Sequence, residues 1–175
     1  MSTVWYFAYG SNMQSAPLRG RRGIEPTRAS AARARGWRLV FDKPPLIPVG
    51  ESFANIVPDA TAEVLGVLYE ISPSDLDHLD LTEGVLIGNY RRVATTVEPL
   101  FAEPAVTAFT LTSDRSDPAL RPSTRYLQLL VDGAREHGLP RSYLAWLEAV
   151  PADPTSEEAA RFRGLVDDLL KRPKS

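Results

Sequence analysis

The chain has 175 residues, 20 basic and 22 acidic side chains, a net charge of −2 and no cysteine. Its length suits one domain, spanning 1–175, and the balanced charge gives no reason to expect a nucleic-acid partner. The absence of cysteine removes disulfides, thiolate metal sites and a cysteine nucleophile, and is compatible with a reducing cytoplasm, the expected location.

Val4–Tyr9 reads as a first strand, and it meets a small polar turn at Gly10-Ser11-Asn12. A sharp bend and a positive φ become available there. Successive N–H groups at such a turn can cradle a carboxylate or an oxyanion, and Tyr6, Phe7 and Tyr9 would keep that cradle dry. The N-terminus therefore looks like a strand instead of a signal peptide, and no apolar run approaches the length that spans a bilayer. Seven arginines follow between Arg19 and Arg38, with only Glu25 among them. This stretch reads as a solvated helix and loop leading to a second strand, its arginines partly paired with the acidic excess beyond residue 50. No aromatic residue is interleaved before Trp37, which argues against base stacking.

The second strand is expected at Trp37–Asp42, and Lys43–Gly50 is a proline-rich loop. Phe53–Val57 reads as short and extended, and Glu63–Ile71 as a central strand. Tyr90–Val97 and Ala105–Leu111 are two more. Antiparallel strands with short connections suggest a small barrel or a curled sheet.

Helices fill the rest of an α+β chain. Ser72-Pro73-Ser74-Asp75 starts one, with Ser72 as N-cap, Leu76 and Leu79 on the buried face and Gly84 at the stop. Ser123 opens another, carrying Tyr126, Leu127, Leu130, Val131 and Ala134 on one side and ending at Gly138. Pro140 starts a third through Trp146 and Leu147. Thr155 with Glu158 forms a capping-box pattern for a last helix, in which Phe162, Leu165, Val166, Leu169 and Leu170 fall at helical spacing ahead of Lys171 and Arg172.

Three side-chain types could carry chemistry. His78 lies among acidic residues and His137 in a last helical turn, where a cation is favoured; neither has metal-type partners nearby in sequence, and no metal is expected. Ser11 sits at a turn after a strand, but Tyr9-Gly10-Ser11-Asn12-Met13 lacks the second glycine of a nucleophile elbow. Glu83 ends the helix that begins at Ser72. The partial negative charge of a helix C-terminus and any burial would both disfavour its ionised form, as a general base requires.

Three motifs in order then resemble one family, the γ-glutamylcyclotransferases. They are Tyr9-Gly10-Ser11-Asn12 preceded by Tyr6-Phe7-Ala8, Glu83-Gly84 followed by Tyr90, and Gly138-Leu139-Pro140 followed by Tyr143. The resemblance implies a small, mostly antiparallel β-barrel flanked by helices, and a cofactor-independent enzyme of the lyase or acyltransferase type. Such an enzyme converts a γ-glutamyl compound into 5-oxoproline and a free amine by intramolecular aminolysis, a step of glutathione metabolism. Residue by residue, it implies Glu83 as the catalytic acid/base. Tyr6, Phe7, Ala8, Tyr9, Gly10 and Ser11 would line the γ-glutamyl site, and Tyr143 would be a further substrate contact. The arginine-dense stretch is not a hallmark of the family. The loop Lys43–Gly50 is less alike, and it would shape the leaving-group side. The expected partner is a small γ-glutamyl molecule, with no nucleic acid and no membrane; a homodimer is compatible with the family. Two alternatives stay open: a γ-glutamyl amide hydrolase, or a non-catalytic binding module on the same fold.

Overall fold

The computed structural model describes residues 2–170. Strands β1 (Val4–Ala8), β2 (Arg28–Lys43), β3 (Phe53–Ile71), β4 (Arg91–Pro99) and β5 (Val106–Thr112) close into a barrel in the order β1-β3-β2-β4-β5. Every pairing is antiparallel except the closing one, where Tyr6 of β1 lies opposite Phe109 of a parallel β5. Helices α1 (Ser15–Arg22), α2 (Pro73–Thr82), α3 (Thr124–Glu136), α4 (Arg141–Glu148) and α5 (Glu157–Leu170) flank it. The expected α+β barrel is therefore present.

Two strands are longer than the sequence suggests. β2 begins at Arg28, inside the stretch expected to be helix and loop, and α1 already ends at Arg22. Arg-Ala-Ser-Ala-Ala-Arg-Ala-Arg has the composition of a helix. It forms a strand because pairing with β3 buries Ala31, Ala32 and Ala34, where larger side chains would crowd the interior. β3 runs unbroken from Phe53 to Ile71 and unites the two extended segments read separately. A register shift between Arg35 and Trp37, at Gly36 with φ 81°, bends the long β2–β3 ribbon round the barrel. Its second half is crossed by β1 at Gly66, where a Cβ would lie 2.3 Å from the Ala8 carbonyl oxygen, so only glycine fits.

The arginines on this surface face acidic partners: Arg19 pairs with Glu25, Arg28 with Glu103, Arg33 and Arg35 with Glu98 and Glu63, and Arg38 with Asp59. Such exposed pairs contribute little individually. They do account for the basic stripe without a polyanion.

The helix starts largely follow the local chemistry. Ser72 and Ser123 accept from the N–H groups of Asp75 and Tyr126, and Gly138 takes a positive φ after α3. At α5 the cap is Ser156, which accepts from Ala159 N, and not Thr155. On α5, Leu165 and Leu169 are exposed, whereas Phe162 and Val166 face inward. Lys171 and Arg172 lie outside the described residues.

Candidate active site

Two adjoining cavities open at one end of the barrel. The inner recess, about 50 Å³, is lined by Tyr6, Tyr9, Gly10, Ser11, Asn12, Ala54, Glu83, Tyr90, Leu111 and Tyr126. The outer groove, about 350 Å³, is bordered by the loop after β2, the end of α2, α3 and α5. Ser11, Glu83, Tyr90 and Tyr126 belong to both, so they mark the junction.

The turn after β1 is a single 3₁₀ turn over Ser11–Met13. The first N–H groups of such a turn, those of Ser11 and Asn12, have no carbonyl within it to bind. The turn does not use the positive φ available to Gly10, whose φ is −107°. Glycine is favoured there by proximity instead: a Cβ would come within 3.2 Å of the Tyr126 hydroxyl.

Glu83 caps the C-terminus of α2, and Gly84 beyond it takes a positive φ. Its Oε1 accepts from Asn12 Nδ2 at 3.2 Å and from Arg22 Nη2 at 2.5 Å. Its main-chain carbonyl accepts from Asn89 Nδ2 at 2.9 Å. The sequence reading considered the helix end and burial and omitted this counter-charge. Arg22, the last residue of α1, is only 6% exposed. Its burial between flanking arginines left no signal in the sequence.

Four tyrosines line the recess, and they differ in where their protons go. Tyr9 donates to Leu111 O at 2.6 Å and Tyr90 to Ala54 O at 3.1 Å. Tyr126 accepts from Ala54 N at 3.1 Å, and Tyr6 accepts from Asn12 Nδ2 at 3.1 Å. Among the described residues, no acceptor takes the hydroxyl hydrogens of Tyr6 and Tyr126. Burial pushes all four phenols up, so they stay protonated donors through the neutral range.

The other expected site residues lie elsewhere. Phe7 and Ala8 are buried in the barrel and line neither cavity. Tyr143 of α4 donates to Leu65 O at 3.1 Å and stacks on Trp146, with ring centroids 5.6 Å apart; it too lies outside the lining. Arg22, Lys43, Asn89, Tyr90 and Tyr126 were not singled out as lining residues, and Asn12 was expected to contribute its backbone N–H but not its side chain. The Glu83–Tyr90 motif and the cap at Ser123 pointed at Tyr90 and Tyr126, but only folding brings them to Gly10.

His137 is engaged away from Ser11. His137 Nε2 lies 3.3 Å from Ser15 Oγ and 3.2 Å from the Tyr69 hydroxyl. Burial lowers its proton affinity, the opposite of the cation expected at that helix end. Among the described residues, no three His, Cys, Asp or Glu side chains form a group that could hold a metal ion.

Residues 63–147 match the model of the AIG2-like family. A γ-glutamyl cyclotransferase of Aspergillus oryzae, aclK, is 32% identical over 163 residues, covering 81% of this chain; the chain spans 59% of that protein's length. The γ-glutamylcyclotransferase of Bos taurus is 31% identical over 175 residues, covering 95% of this chain and 87% of the bovine one. A solved γ-glutamyl cyclotransferase structure aligns with a TM-score of 0.76 at 25% identity, covering 97% of this chain and 98% of that one. With this barrel, and with a carboxylate at the junction of two cavities, the chain belongs to the γ-glutamylcyclotransferase family.

Proposed function

We propose that this chain converts γ-glutamyl amino acids or amines to 5-oxoproline and a free amine by intramolecular aminolysis, with Glu83 as the acid/base. The observation that carries the reading is the arrangement of the Glu83 carboxylate. Arg22 and Asn12 both donate to Oε1 at the junction of recess and groove. Oε2 has no hydrogen-bond partner among the described residues, and is the oxygen free to exchange a proton.

The glutamyl group enters at the recess and its junction with the groove, and its α-amine arrives as an ammonium that cannot attack. Glu83 takes a proton from it, and the amine nitrogen closes on the γ-carbonyl carbon of the same molecule. The carbonyl oxygen becomes an oxyanion. The C–N bond to the departing amine then breaks as Glu83 returns a proton to that nitrogen. Altogether two protons leave the α-nitrogen and two reach the departing nitrogen, so the reaction balances without a co-reactant.

The N–H groups of Ser11 and Asn12 and the hydroxyls of Tyr6 and Tyr126 are suited to divide two tasks, holding the α-carboxylate and the oxyanion. Arg22 and Asn12 fix the Glu83 rotamer. The departing amine extends into the groove, beside the loop that contains Pro45, Leu46, Ile47 and Val49.

Glu83→Gln tests the assignment. The amide keeps the shape and can still accept from Arg22, but it cannot carry the proton. We expect kcat to fall by ~10²–10⁴-fold with circular dichroism unchanged. A variant with near-wild-type kcat would rule Glu83 out.

A further inference from the structure

Resting on the cyclotransferase reading, we infer that Lys43 is a second catalytic residue, which hands a proton to the departing nitrogen from the groove side. The proton count gives it a task. Two protons leave the α-nitrogen, and two reach an alkylamine that departs as an ammonium, whereas a carboxylate such as Glu83 carries one at a time. A second carrier on the leaving-group side removes the wait for Glu83 to be emptied and refilled.

Lys43, the last residue of β2, lines the outer groove with Glu83, Asn89 and Tyr90, and does not line the recess. It is only 2% exposed. Nζ donates to Asn89 Oδ1 at 2.7 Å and to Pro44 O at 3.0 Å, and stands 4.4 Å from the Tyr90 ring centre. An ammonium has three N–H donors. The third meets no oxygen or nitrogen acceptor among the described residues. The same Asn89 donates from Nδ2 to the main-chain carbonyl of Glu83 at 2.9 Å, so one side-chain amide spans from Lys43 to Glu83.

The surroundings favour release of the proton. A buried ammonium is costly unless an opposite charge faces it. The nearby carboxylates are engaged elsewhere: Glu83 with Arg22, Glu51 with Arg163, and Asp42 with the Ser116 hydroxyl. From behind the groove, Arg115 Nη1 donates to the same Asn89 Oδ1 at 3.3 Å, which sets a second cation on one neutral oxygen. The Tyr90 phenol beside Lys43 is kept neutral by burial. Burial, and then Arg115, lower the Lys43 ammonium to about 8, while Glu83 opposes that shift. Lys43 therefore stays charged at pH 7 and yields its proton more readily than an exposed lysine.

The step balances. As the C–N bond breaks, Glu83 returns the first α-nitrogen proton to the departing nitrogen. An N–H bond of Lys43 then breaks as the second N–H bond forms on that nitrogen, and Lys43 is left as a neutral amine. It regains its proton when the second α-nitrogen proton, collected by Glu83, is passed on. A strut between loops needs only the charge and two hydrogen bonds of Lys43. A donor also needs the labile proton.

The test compares γ-glutamylethylamine with γ-glutamyl-p-nitroanilide. Ethylamine departs as an ammonium and takes up two protons; p-nitroaniline is too weak a base to hold the second and departs neutral. Lys43→Met should lower kcat for the ethylamide by ~10²-fold and leave the nitroanilide near its wild-type value. Lys43→Arg, which keeps the charge but cannot release a proton, should show the same split. In the wild type the ratio of ethylamide to nitroanilide kcat should fall between pH 7 and 9, as Lys43 loses its charge, and in Lys43→Met it should not. The shared α-amine and Glu83 cancel from that ratio, and the wild-type measurement stands whether or not the variants fold. Equal losses on both substrates, full ethylamide turnover in Lys43→Arg, or a wild-type ratio independent of pH would refute proton transfer by Lys43 and leave it a strut. Should neither compound yield 5-oxoproline in the wild type, the cyclotransferase reading itself fails, and the role of Lys43 with it.

Discussion

A phenol and a carboxylate do most of the proposed chemistry, and they differ in how readable they were. Glu83 was legible because it falls in a helix-end motif, Glu83-Gly84, whose glycine takes the positive φ that the turn requires. Tyr126 looked like a core residue at helical spacing on α3. Its ring is buried, but its hydroxyl reaches the recess and accepts from Ala54 N. Periodicity reports which face a side chain takes, not where its polar tip ends. If Tyr126 supplies a donor to the oxyanion, Tyr126→Phe should lower kcat by ~10²-fold while KM changes less. The lost acceptor also leaves Ala54 N–H unpaired, at a cost of about 1–3 kcal/mol, so Tm should fall in parallel. A variant with lowered Tm but undiminished kcat would restrict Tyr126 to that structural bond. Arg22 could not have been found in the same way, since nothing local distinguishes it from Arg19 or Arg21.

Among the elements, α2 and α3 were legible because their starts carry side-chain caps, Ser72 and Ser123. The first half of β2, before Trp37, was not, because its alanines and arginines favour a helix and only the pairing with β3 makes them extended. The contact between α3 and the 3₁₀ turn at Ser11–Met13 was equally hidden. It depends on Gly133, where a Cβ would lie 2.7 Å from Gln14 N and 2.8 Å from Met13 C. In a free helix, Gly→Ala stabilises by up to about 1 kcal/mol. Here the obstacle is backbone, which no rotamer change relieves, and a net loss of about 1–3 kcal/mol is expected for Gly133→Ala. Because the same turn carries Ser11 and Asn12, KM should rise along with the fall in urea midpoint. An unchanged or higher midpoint would show that α3 does not position the turn.

Across the whole molecule, the site is assembled from segments scattered between Tyr6 and Val166, and this is why its outline escaped the sequence. The barrel supplies the floor, the end of α2 the carboxylate, α1 the counter-charge, and α5 one wall of the groove. The motifs carrying the family resemblance identified two of these parts, the turn after β1 and the end of α2. The third, ending in Tyr143, contributes packing to Leu65 and Trp146 instead of a lining residue. The proposed function turns on the identity of the nucleophile, taken to be the α-amine of the substrate itself. Product analysis on γ-glutamylalanine and its N-acetyl derivative tests this directly. The account predicts 5-oxoproline from the free compound and no turnover of the acetylated one. Free glutamate from the first, or efficient cleavage of the second, would mean that water is the nucleophile and that the cleft belongs to a hydrolase.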